Sequence, residues 1–120
     1  MKKLIITLTV FCLYVTGALA NKTTVEITAP DEVAVGTEII ITISVSHNGN
    51  SKAHHTEWVS LKINGLEVQK WEYTKAELPP GNEFTVEYKM VASGPLTIEA
   101  QGNCNMHGST GLKTKAVKTM

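Results

Sequence analysis

Arginine is absent from the 120-residue chain and cysteine nearly so, with two copies. All eleven cations are therefore lysines, and they meet eleven Asp plus Glu to give a formal net charge of zero. That balance argues against nucleic acid as a partner, because phosphate neutralisation needs clustered Lys and Arg. Helical periodicity is missing too: no window sustains apolar residues at i, i+3, i+4 and i+7. There is no internal repeat, and Ser, His and Asp never stand in a motif that would activate a nucleophile, which argues against a conventional hydrolase. What is present, 42% hydrophobic and 18% charged residues, suits one domain around one core.

The N-terminus reads as an export segment. Lys2 and Lys3 precede the apolar run Leu4 to Val15, and Ala18-Leu19-Ala20 supplies a small-x-small cleavage site. The run is shorter than the roughly 20 residues that span a bilayer, so cleavage is expected rather than anchoring. Residues 1–20 are thus expected to be removed, leaving 21–120 as the mature domain in the periplasm or another exported setting, with no membrane contact afterwards. Cys12 follows the bulky Phe11, which disfavours lipidation there. Cleavage removes Cys12 and two lysines, so the mature chain carries nine Lys against eleven acids, a net −2, and Cys104 is its single thiol.

The remaining residues read as short strands separated by turn signals, the pattern of an all-β, immunoglobulin-like antiparallel sandwich of about seven strands. Thr23 to Thr28 forms the first, closed by Pro30 and Asp31. In Thr37 to Ser46, Ile39, Ile41, Ile43 and Val45 share one face by the period of two. A polar loop follows, then Thr56 to Ile63, with Val59, Leu61 and Ile63 on one side and Trp58 on the other. Asn64-Gly65 is a strong hairpin signal, because both residues tolerate the positive φ of a type I′ turn. It makes Leu66 to Tyr73 the antiparallel partner. Pro79-Pro80-Gly81 and Ser93-Gly94-Pro95 flank a fifth strand through Phe84, Val86, Tyr88 and Met90; Leu96 to Gln101 and Leu112 to Lys118 complete the set.

One stretch stands outside this pattern: Asn103-Cys104-Asn105-Met106-His107-Gly108. Cys-x-x-His on a loop after a strand can bring a thiolate and an imidazole to one metal ion. The other three histidines are His47, at the end of the second strand, and His54 and His55, at the start of the third. A sandwich gathers the loops of one end, so His47, His54, Cys104 and His107 are expected to converge as three nitrogens and one sulfur. Side chains alternate along a strand, so His54 and His55 are not expected to ligate the same ion. Asn103 and Asn105 are candidates for hydrogen bonds near the sulfur, or for simple turn chemistry.

These residues carry a family resemblance. His54-His55-Thr56-Glu57-Trp58 resembles the His-Tyr-x-Glu-Trp segment of the desulfoferrodoxin and neelaredoxin family, the superoxide reductases. Cys104-Asn105-Met106-His107-Gly108 is similar to that family's Cys-Asn-x-His-Gly, and the likeness runs from about Ser46 to Gly111 in the same order. The resemblance implies an immunoglobulin-like domain holding a mononuclear non-haem iron, with equatorial histidines, an axial cysteine thiolate and an open position where superoxide is reduced to peroxide. By position, His47, His54 and His107 would be equatorial and Cys104 axial. The implied partners are superoxide or another small anion and a separate electron-donor protein, since the chain has no rubredoxin-like four-Cys site.

The chain departs from the family at three points. The family's fourth histidine lies in an N-terminal Glu-Lys-His segment, whereas no histidine precedes His47 here. That segment's lysine attracts the anion and assists protonation; Lys52, in a loop near the histidines, is the candidate for its role. His47 and His54 are also seven residues apart, one more than usual in the family, which a loop absorbs. The expectation is metal binding with superoxide reduction in question, and the sequence leaves open whether His55 substitutes for the missing ligand. Two other readings compete. Cys104-x-x-His107-x-x-x-x-Leu112, with His47 upstream, resembles the copper loop of cupredoxin electron carriers, though it leaves His54 without a role. The strand pattern alone is similar to that of the small sulfur-oxidation carrier subunits, which would make the chain a non-catalytic interaction module.

Overall fold

The structure is a computed structural model that describes residues 22–120; the expected export segment and Cys12 lie outside the described residues. The strands are β1 (Thr24–Thr28), β2 (Glu32–Val33), β3 (Thr37–Ser46), β4 (Thr56–Ile63), β5 (Leu66–Glu72), β6 (Glu83–Ala92), β7 (Leu96–Cys104) and β8 (Lys113–Thr119), and no helix occurs among the described residues. They form a sandwich of a three-stranded sheet, in the order β1-β3-β6, and a five-stranded sheet, in the order β2-β8-β7-β4-β5. The all-β sandwich expected from the turn spacing is therefore present.

Alternation drives the assembly. Ile39, Ile41, Ile43 and Val45 of β3 are buried and face Val59, Leu61 and Ile63 of β4, Leu96, Ile98 and Ala100 of β7 and Val117 of β8 across one core. Each such aliphatic side chain contributes about 1.5–3 kcal/mol when fully buried. Phe84, Val86, Tyr88 and Met90 of the edge strand β6 pack against the same cluster from the side and stay partly open. The Asn64-Gly65 turn takes φ of 51° and 83°, as a type I′ hairpin requires.

Two differences from the sequence pattern bear on function. An eighth strand, β2, pairs parallel with β8 (Glu32 with Lys118, Val33 with Thr119), so the sandwich is not wholly antiparallel. A two-residue strand is too short to show an alternation, and it exists because the segment after Pro30 lies along β8, where Lys118 N–H donates to the Asp31 carbonyl and Met120 N–H to that of Val33. The second difference is that β7 runs three residues further than expected, so Asn103 and Cys104 belong to the strand and the loop begins only at Asn105.

Candidate metal centre

The extension of β7 places its cysteine by the same rule that built the core. The inward series Leu96, Ile98, Ala100 continues through Gly102 to Cys104, which is 2% exposed. On the opposing sheet, the series Ile39, Ile41, Ile43, Val45 continues past the end of β3 to His47, also 2% exposed. Two core-facing rows thus end, at the same pole of the sandwich, in a thiol and an imidazole. Gly102 makes this convergence feasible: a Cβ there would stand 2.5 Å from Thr23 Cγ2 and 3.1 Å from Val25 Cγ1, so only glycine lets β1 come this close to β7.

The third group arrives through a β-bulge. Along β4, Val59, Leu61 and Ile63 face the core, and unbroken alternation would carry the same face to Glu57 and His55. Opposite β7, however, Thr56 pairs with Cys104 while Trp58 pairs with Asn103, so Glu57 is an extra residue on this strand. The bulge turns Thr56 inward, where it is fully buried and its hydroxyl meets that of Thr23 at 3.1 Å. His54, two residues earlier, follows Thr56 to the inner side. His55 is engaged elsewhere: it is 5% exposed, its Nδ1–H donates to the Ser51 carbonyl at 3.0 Å, and it lines a groove with Glu57, Trp58, Lys70 and Tyr73.

One ring nitrogen each of His47 and His54 and the Cys104 sulfur lie within 4.8 Å of one another. The rings of His47 and His54 stand 4.6 Å apart at 69°, and that of His107 stands 4.7 Å from His54 at 88°. His47, His54 and Cys104 therefore form the tight group, with His107 exposed at its rim on the turn after β7. That turn is closed by Cys104 N–H to Gly108 carbonyl at 2.8 Å and the return bond at 3.1 Å, with Gly108 at a φ of 79°.

Nε2 of His47 and Nε2 of His54 are buried and have no hydrogen-bond partner. A buried polar atom without a partner costs about 1–3 kcal/mol, so two of them beside a buried thiol identify a donor set that a cation would satisfy. Burial pushes the pKa of His47 below its ordinary value, an effect the nearby rings of His54, His107 and His55 reinforce and the hydrogen bond to Asn50 only partly offsets. The ring is thereby held neutral, the form a metal takes. Two imidazoles and a thiolate, with a third imidazole at the rim, fit a transition metal of the iron, copper or zinc type rather than calcium or magnesium.

Sequence reasoning missed most of what braces these groups. Asn50 accepts His47 Nδ1–H at 2.8 Å and Thr56 N–H at 2.9 Å, and donates to the Gly81 carbonyl at 2.7 Å. Asn105 braces the loops and also touches the sulfur: its Oδ1 accepts His55 N–H at 2.9 Å and the Cys104 thiol at 3.8 Å, its Nδ2 donates to the Ala53 carbonyl at 3.1 Å, and its own N–H donates to the His55 carbonyl at 3.0 Å. The backbone N–H that does point at Cys104 Sγ is that of Met106, at 3.5 Å. Asn103 Nδ2 donates to the Cys104 carbonyl at 3.2 Å, which is turn chemistry. Lys52 is exposed in the Ser51–His54 turn, whereas Lys22 lines a groove with His47, Asn48, Asn82 and Glu83. Trp58 is half-buried on the outer face under the Lys70 ammonium, 5.1 Å from its ring centre, and so packs there rather than at the ligands.

The fold is a superoxide reductase-like β-sandwich, and the donor set makes a potential His/Cys metal site at one of its poles. The desulfoferrodoxin family model matches residues 17–110, and the chain belongs to that family. In three dimensions it is similar to the superoxide reductase (neelaredoxin) of Ignicoccus hospitalis, with 22% identity, a TM-score of 0.68, and 82% of this chain and 83% of that one covered. A candidate superoxide reductase of Thermotoga maritima gives 21% identity, a TM-score of 0.65, and 81% and 86% coverage. The sulfur carrier protein SoxY of Chlorobium limicola shares the fold more distantly, at 15% identity, a TM-score of 0.56, and 79% and 74% coverage. Among curated protein sequences, none matches. The likeness to SoxY accords with the strand pattern noted above, and the cupredoxin reading has no use for His54, which the structure puts inside the cluster.

Proposed function

We propose that the mature chain is an exported mononuclear non-haem iron protein that reduces superoxide to peroxide. The observation that carries this reading is that His47 and His54, whose Nε2 atoms are buried and unpartnered, each bring a ring nitrogen within 4.8 Å of the Cys104 sulfur. His47, His54 and Cys104 would hold the ion, with His107 swinging in from the rim as the third imidazole. The chemistry a ferrous ion supplies there is one electron, which with two protons converts superoxide to hydrogen peroxide. Met106 N–H moderates the charge on the sulfur, and the neutral rings leave the site cationic enough to draw an anion. Lys22, in the groove beside His47, and Lys52, in the turn carrying His54, add local positive charge to a surface that is otherwise slightly acidic. With three histidines in the chain's donor set rather than four, turnover is expected to be slower than metal binding is tight. Re-reduction comes from a separate electron-donor protein, because a single thiol offers no second redox centre. Residues 1–20 direct the chain to the periplasm or another exported setting and are cleaved.

Aerobic purification of residues 21–120, with quantification of iron, copper and zinc and an assay of superoxide consumption, tests the reading. Iron at one per chain, a sulfur-to-ferric absorption band that disappears in Cys104→Ser, and reductant-dependent superoxide loss are expected. A mature chain that binds no metal, or that binds it unchanged after Cys104→Ser, would falsify it.

A further inference from the structure

The loop between β3 and β4 holds a side chain that no ligand motif accounts for. Asn50 is half-buried and its three hydrogen bonds reach three separate places: His47 beyond β3, Thr56 at the start of β4 and Gly81 in the turn before β6. These bonds leave the amide no freedom to flip. Gly81 offers a carbonyl, so the 2.7 Å contact must come from the NH2 group; Thr56 offers an N–H, so the 2.9 Å contact must go to the oxygen. The oxygen that faces His47 at 2.8 Å is thus an acceptor only, and Nδ1 must carry the proton. A neutral imidazole has one N–H, so His47 Nε2 is left as a bare lone pair, buried and without a partner.

We propose that Asn50 is the positioning residue of the centre: through its acceptor oxygen it selects the Nδ1–H tautomer of His47 and aims Nε2 at the ion. The inference rests on the metal reading of the site and goes beyond it, because a ligand set alone does not say which nitrogen binds or what orients it. The same amide couples the ring to the bulged start of β4. Asn50 Oδ1 serves Thr56 and His47 at once, so one atom ties the orientation of His47 to the bulged segment that carries His54. Outer hydrogen-bond partners of metal-binding histidines are usually carbonyls or carboxylates, and the asparagine oxygen fills that role here.

The test uses cobalt(II) as a probe on the mature chain, comparing the parent with Asn50→Leu, which removes the acceptor, and Asn50→Asp, which keeps an acceptor for both N–H groups and loses only the donor to Gly81. Cobalt(II) affinity is expected to fall by about 10–100-fold in Asn50→Leu and to remain close to the parent's in Asn50→Asp. Nitrogen-15 spectra of the metal-free chains should show a pure Nδ1–H ring for His47 in the parent and in Asn50→Asp, and a mixture of tautomers in Asn50→Leu. If the leucine variant does not fold, Asn50→Ser, whose hydroxyl falls short of the ring, carries the same comparison. Unchanged affinity and an unchanged tautomer in a folded variant lacking the acceptor overturn the inference while leaving the metal reading intact. A parent that takes up no cobalt(II) but keeps the pure tautomer overturns the metal reading, and this inference with it.

Discussion

The two poles of the sandwich are built from the same materials and end in opposite states. At the pole between β4 and β5, Asn64 accepts Thr97 N–H at 2.8 Å, gives its own N–H to the Thr97 carbonyl at 2.9 Å, and reaches Pro95 with its amide at 3.4 Å. At the other pole, Asn50 and Asn105 cross-link loops with equally short bonds. The first network closes on itself. The second stops short at His47 Nε2 and His54 Nε2, which it buries and leaves without partners. Asparagine bracing on its own therefore does not make a site. The difference is that at one pole the core-facing rows of β3 and β7 run on into His47 and Cys104, so the bracing holds donors instead of merely sealing a turn.

Three measurements would break or sharpen that contrast. The largest effect is expected at the metal-side pole from Gly102→Ala, which drives a Cβ into Thr23 Cγ2 and Val25 Cγ1 and should cost about 1–3 kcal/mol in urea unfolding. It should also weaken metal uptake, since Thr23 is tied to Thr56 next to the bulge; a variant as stable as the parent would show that β1 does not need glycine to approach β7. At the far pole, Asn64→Ala should remove about 1 kcal/mol through the lost cross-links and the φ of 51° that asparagine accommodates, with metal stoichiometry unchanged. Altered metal binding in that variant would mean that the poles are coupled through the core.

The smallest effect concerns pH. Burial lowers the folded-state pKa of His47 from its ordinary 6.5, so the unfolded chain binds the proton first. The contribution of the neutral ring is fully present above pH 6.5 and is lost as pH falls from there through the lowered folded value. The metal-free protein should accordingly show a falling urea midpoint below pH 6.5 that His47→Gln reduces. An identical pH profile in the two chains would contradict the assignment of this loss to His47.

Much of this architecture was legible in residue order. Period-two rows marked β3, β4 and β7 because an isoleucine, valine or leucine at every second position can only be buried on one side of a strand. The Asn64-Gly65 pair marked its turn because few other residues accept two successive positive φ values. Other features left no local mark. A bulge at Glu57 arises from how β4 must pair with β7 while Thr56 meets Thr23, and neither constraint is visible within His54–Trp58 itself. Asn105 read equally well as a tuner of the sulfur or as a turn residue; the structure gives it a contact with the Cys104 thiol and, in addition, bonds to Ala53 and His55, some fifty positions away, that no local pattern announces.

Over residues 22–120 the sequence restricted the chemistry to one thiol, four histidines, carboxylates and scattered lysines, with no arginine. Together with the strand alternation, this determined the sandwich, the donor types and the pole at which they gather, because side-chain direction along a strand is fixed by parity. Tertiary structure decided which donors meet. Sheet pairing inserted the bulge that brings His54 to the cluster and leaves His55 bonded to the Ser51 carbonyl, the approach of β1 to β7 demanded Gly102, and Asn50 assigned the proton on His47 by bonding to three separate segments at once. Parity is a property of one strand, whereas a ligand set is a property of the contacts between strands.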